Sequence, residues 1–111
     1  MCNHKVLVHT KDGYVIQCNQ CSNYQLSFGT TASTFNLANF NLFCDEVIAL
    51  YETKSDNGLS NQKNISIDLF CKSVMMIVSY NELVMLYSMI CEAKFNMEID
   101  DLLTELNFIT E

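Results

Sequence analysis

Tyr24-Gln25-Leu26-Ser27-Phe28-Gly29-Thr30-Thr31-Ala32-Ser33-Thr34-Phe35-Asn36-Leu37 is the stretch that decides the fold. Tyr24, Leu26 and Phe28 alternate with Gln25 and Ser27, the period of a half-buried strand. Gly29-Thr30-Thr31 supplies a turn and Ala32–Phe35 a returning strand. Asn36 then stands as a good N-cap before a helical stretch from Leu37 to Tyr51. In that stretch Leu37, Phe40, Phe43, Cys44, Val47, Leu50 and Tyr51 form one apolar stripe, with Asn41, Asp45, Glu46 and Glu52 on the other side.

The same order recurs downstream. Ile65–Phe70 reads as a strand, Cys71-Lys72-Ser73 as a turn, Val74–Val78 as a strand and Tyr80–Lys94 as a helix. Shifted by 43 residues, Asn36 falls on Ser79, Phe40 on Leu83, Phe43 on Leu86 and Val47 on Ile90. Ser79-Tyr80-Asn81-Glu82 is a full capping box. A pattern that recurs only twice points to a duplicated ββα unit and not to a solenoid. Thr53–Lys63, rich in turn formers, joins the halves. Further on, Ile99, Leu102, Leu103 and Leu106 lie at helical spacing behind Asn96, a plausible N-cap, which predicts a separate C-terminal helix.

Ahead of the first unit lie Cys2, His4, Cys18 and Cys21, a C-x-H pair followed by C-x-x-C. Three thiols and one imidazole are a common donor set for structural zinc. Lys5–Thr10 alternates as a strand, Asp12-Gly13 is a two-residue hairpin turn, and Tyr14–Gln17 returns. With Lys11 facing Tyr14, the register sets Leu7 against Cys18 and His4 against Cys21, with Cys2 just beyond. The expectation is a closed tetrahedral zinc site with Cys2, His4, Cys18 and Cys21 as ligands. Zinc suits this mixed sulfur and nitrogen set better than iron. A thioredoxin-like redox pair opens a helix, whereas Cys21 is followed by a turn and a strand. His9 falls on the strand face opposite His4 and is read as an ordinary histidine. Cys44, Cys71 and Cys91 are isolated and read as core packing.

The expected fold class is therefore α+β in a single domain, 1–111. A candidate zinc hairpin spans 1–23. ββα units span 24–52 and 64–95, and together they form an antiparallel sheet with helices on one face. A C-terminal helix follows at 96–108. The chain has 111 residues, half of them apolar, no proline, and a formal charge of −7 with no arginine. Six scattered lysines against thirteen acids disfavour nucleic acid and anionic membrane surfaces. No apolar run reaches a membrane span, and the start lacks the apolar core of a secretory signal, so the expected address is cytoplasmic.

The Met1-Cys2-x-His4 start, Asn19 and Gln20 inside the C-x-x-C, and the run Tyr24–Thr31 resemble a family of short uncharacterised proteins from Bacteroidetes bacteria. The likeness extends to the region around Val74-Met75-Met76. It implies a stand-alone bacterial protein and carries no activity with it.

No constellation of nucleophile, base and open metal position is legible, so catalysis is not expected. The second half is apolar on nearly all sides: Val74–Val78 on both strand faces, and Tyr80, Leu83, Val84, Leu86, Tyr87, Met89, Ile90, Cys91 and Ala93 around most of a helix. Either the tail covers it or a second chain does, as a homodimer or a protein partner. The expected function is protein–protein contact by a zinc-stabilised domain; the alternative is a thiolate-based metal or redox sensor.

Overall fold

The computed structural model describes residues 4–54, 62–71 and 74–110. It is an α+β arrangement of two antiparallel sheets and two helices. The strands are β1 (His4–Thr10), β2 (Gly13–Cys18), β3 (Tyr24–Phe28), β4 (Thr31–Phe35), β5 (Ile65–Cys71) and β6 (Val74–Val78). The helices are α1 (Leu37–Thr53) and α2 (Tyr80–Thr110). Sheet order is β1-β2-β3-β4 in the larger sheet and β5-β6 in the smaller.

Each strand–strand–helix unit forms as its residues dictate. Phe28 pairs with Thr31 across the first turn, and Cys71 pairs with Val74 across the second, 43 residues on. The caps match too. Asn36 Oδ1 accepts from the Asn39 amide at 2.8 Å. Ser79 Oγ accepts from the Glu82 amide at 3.2 Å, and Glu82 Oε1 accepts from the Ser79 amide at 2.9 Å. The units differ in β5, where the register shifts between Asp68 and Cys71. Phe70 there takes a positive φ of 55°, and its amide donates to Asp68 Oδ1 at 2.7 Å.

The partition of the strands differs from the sequence reading. The first ββ hairpin pairs with the N-terminal hairpin through β2 and β3, and the second forms its own sheet. Ile65, Ile67 and Leu69 are buried on β5, which packs chiefly along α1. Tyr24 stacks on Phe40 at 4.7 Å and Phe35 on Phe43 at 5.1 Å, which fixes α1 to the inner face of the larger sheet. Stacked pairs of this kind add about 1 kcal/mol each beyond their burial. One hydrophobic core runs from Leu7 and Val15 through Phe40 and Phe43 to Leu83, Leu86 and Ile90.

The separate helix expected at 96–108 is the second half of α2, which continues unbroken. Lys94-Phe95-Asn96-Met97 holds no glycine or proline to stop it. Asn96 caps nothing; its amide nitrogen donates to the Leu7 carbonyl at 2.5 Å. The tail therefore extends along the direction of α2 and leaves Ile99, Leu102, Leu103 and Leu106 exposed. Among the described residues, no helix is long and apolar enough to cross a membrane.

Candidate metal-binding hairpin

The N-terminal hairpin turns one residue earlier than its Asp-Gly pair predicts. Thr10 pairs with Gly13, leaving Lys11-Asp12 as the turn. Thr10 Oγ1 accepts from the Asp12 amide at 3.1 Å, and the Asp12 carbonyl accepts from the Gly29 amide at 3.0 Å. Gly13 serves close approach instead of turn geometry: a Cβ there would lie 1.8 Å from the Ser27 carbonyl oxygen of β3.

Lower down, the register shifts between Val6 and Val8, so Leu7 is bulged. Both Leu7 and Val8 are buried as a result, and Val6 is exposed. The bulge determines which residues meet. Continued without it, the Thr10–Gly13 register would set His4 opposite Asn19. With it, His4 pairs with Cys18. This replaces the expected pairings of Leu7 with Cys18 and His4 with Cys21. The same bulge returns His9 to the face that His4 occupies, opposite Tyr14 at the far end of the hairpin.

Cys18 ends β2 with 6 % of its surface exposed. The loop after it closes tightly: the Cys18 amide donates to the Asn23 carbonyl at 2.9 Å, and the Ser22 amide to the Cys18 carbonyl at 3.0 Å. Ser22 adopts a φ of 63°, a left-handed conformation that reverses the chain within the loop. The Cys21 amide points back at Cys18 Sγ, 3.4 Å away. Cys21 and His4 are exposed.

These three side chains border one cavity of about 160 Å³, together with Ile16, Gln25 and Thr34. Ile16 pairs with Gln25 and Gln25 with Thr34, so the cavity lies on the outer face of the sheet, away from the helices. Three of the four sequence-predicted ligands thus share one pocket, and the fourth, Cys2, lies outside the described residues. Among the described residues, no three His, Cys, Asp or Glu side chains are gathered closely enough to hold a metal ion. Cys18, Cys21, Cys44 and Cys91 carry thiols, with no disulfide among them. Cys44 is buried in the core, and desolvation pushes its thiol up to about 12, so it stays protonated and inert. Cys91, expected in the core, is exposed on α2 beside Tyr87, whose hydroxyl is pushed up first by its hydrogen bond with that thiol.

Asn96 is the site-supporting residue that sequence reading missed. Its bond to the bulged Leu7 carbonyl ties α2 to β1 three residues from His4. Only the pairing of a bulge with a distant helix reveals it, and no local pattern announces either. Lys5 adds an ion pair to Asp100 beside the same contact.

No curated protein and no solved structure was found to match the chain. A family model does, over residues 1–109, and the chain belongs to that family, a family of unknown function (DUF6686).

Proposed function

We propose that this is a small cytoplasmic bacterial protein whose N-terminal hairpin holds one structural zinc ion, and that it acts by protein–protein contacts without catalysis. The observation that carries the reading is the cavity shared by His4, Cys18 and Cys21, with the Cys21 amide directed at the Cys18 sulfur. Cys2, two residues before His4 in the sequence, supplies the fourth donor of the set. Closing the set needs rotation of the exposed His4 and Cys21 side chains toward Cys18, which surface side chains do in picoseconds to nanoseconds. Three thiolates and one imidazole would complete the ion's coordination and leave no open position for substrate.

The energetics favour a structural role. Among the described residues, the hairpin contributes Leu7, Val8, Val15 and Cys18 to the buried apolar set. A structural zinc supplies on the order of 10 kcal/mol in small peptides, a contribution as large as that of those few side chains together at about 1.5–3 kcal/mol each. Contact function is supported by apolar surface left open in the second half, at Val74, Met75 and Ile77 on β6 and along the end of α2.

Hydrogen exchange with and without a strong chelator tests the reading. Chelation should lower protection across residues 4–21 and leave α1 and the first turns of α2 protected. Unchanged protection across 4–21 would count against a metal at this hairpin.

A further inference from the structure

We propose that the segment from Phe95 to Leu106 of α2 is a docking helix for a basic, heptad-patterned amphipathic helix of another protein. The inference rests on the protein-contact reading above and names the partner's chemistry.

Phe95, Ile99, Leu102 and Leu106 are spaced by four, three and four residues, the a/d seam of a coiled coil. All four are exposed, at 60 %, 36 %, 59 % and 56 %. Leu103 lies beside them and is exposed as well. At 100° per residue these five fall within an arc of about 100°. The side of the segment carrying Met97, Asp100 and Thr104 is engaged with the body of the protein: Met97 packs against the core, Asp100 pairs with Lys5, and all three border a cavity with Gln17 and Tyr24. Asn96, at the edge of the seam beside Leu103, holds the Leu7 carbonyl. These contacts fix the rotation of the helix, so the apolar seam faces away from its own sheet. The usual amphipathic order is thus reversed, which is understandable if the outward side has a partner.

Charge selects the partner. With Ile99 and Leu106 at a, Glu98 and Glu105 occupy g, and Asp101 lies beyond them on that flank. A second copy would offer these glutamates no countercharge. A parallel pair sets Glu98 against Leu103, and an antiparallel pair sets g glutamates against each other. The chain's charge of −7 adds repulsion at longer range. A helix with Lys or Arg at e supplies the missing charge and covers the leucines.

The test uses the full chain and two synthetic three-heptad peptides with leucine at a and d, one with lysine and one with glutamate at e and g. The lysine peptide should bind, and its affinity should fall as salt rises. Leu102→Asp should weaken it at least about tenfold. A Glu98→Lys, Glu105→Lys double variant should prefer the glutamate peptide. Leu102 is exposed, so circular dichroism and melting should match the unaltered chain and separate docking from misfolding. Equal binding of both peptides, binding of neither, association with neutral lipid vesicles through Leu102, or self-pairing through Leu102 in sedimentation would each overturn the proposal. Zinc content measured on the same samples distinguishes this failure from failure of the metal reading.

Discussion

Replacing Asn96 should disturb a β-strand that it does not belong to. Its Nδ2 donates to the carbonyl of Leu7, the bulged residue that the β1–β2 ladder leaves out. Leu7 is buried, so that carbonyl has little access to water once its donor is gone. An unsatisfied buried acceptor costs about 1–3 kcal/mol. Asn96→Leu keeps the volume, removes the donor and blocks water, so about 2 kcal/mol is expected. For a domain of this size that corresponds to a drop of roughly 10 °C in Tm. Asn96→Asp presents an acceptor to an acceptor and should be at least as costly, whereas Asn96→Ala admits water and should cost less. Thermal melting gives the magnitudes, and hydrogen exchange gives the place: amides of residues 5–8 should lose protection before those of α1. Because the bulge sets His4 opposite Cys18, Asn96→Leu should also weaken zinc binding. Melting and β1 exchange indistinguishable from the unaltered chain would refute the role assigned to this contact.

Six further substitutions, two of them read against pH, probe the rest. Gly13→Ala should cost 3 kcal/mol or more, roughly, because its Cβ would meet the Ser27 carbonyl at 1.8 Å. Gly29→Ala, at φ 60° with open space around it, should cost only about 1 kcal/mol; comparable melting of the two would contradict the close-approach argument. Ser79→Ala and Asn36→Ala should each lose about 1 kcal/mol as N-cap deletions, read by urea unfolding. The Ser79 amide and, next, Lys63 hold the Glu82 carboxyl below its ordinary 4.5. That stabilisation is present above pH 4.5 and should fade as pH falls through the depressed value, and Glu82→Gln should flatten this limb. Burial raises the Cys44 thiol from 9.0 to about 12, so above pH 9 the unfolded chain ionises first. Stability should therefore fall by about 1 kcal/mol between neutral pH and pH 10 from this group alone, and Cys44→Ala should remove that slope.

Local signals made the ββα units legible. Asn36, Ser79 and Glu82 cap where propensity places them, because capping depends on a residue and its neighbours within one turn. Register in the N-terminal hairpin was not legible. Asp12-Gly13 matches a turn signature, but Gly13 is required by a strand that arrives fourteen residues later, at Ser27. The bulge at Leu7 was equally hidden, since alternation alone offers no reason to bury Leu7 and Val8 together. Even so, His4, Cys18 and Cys21 reach one cavity: the earlier turn and the bulge move the register, yet keep His4 at the C-x-x-C end of the hairpin. The grouping of strands into two sheets depends on β5 choosing α1 over β4, a tertiary preference that pattern does not encode.

Metal stoichiometry tests the central claim most directly. Native mass spectrometry of the chain supplied with zinc should show one ion per chain. That ion should be lost in Cys18→Ser and Cys21→Ser and weakened in His4→Ala and Cys2→Ser. A folded chain that takes up no zinc, and whose Cys18 and Cys21 react with a thiol reagent equally fast whether zinc is present or absent, would contradict it.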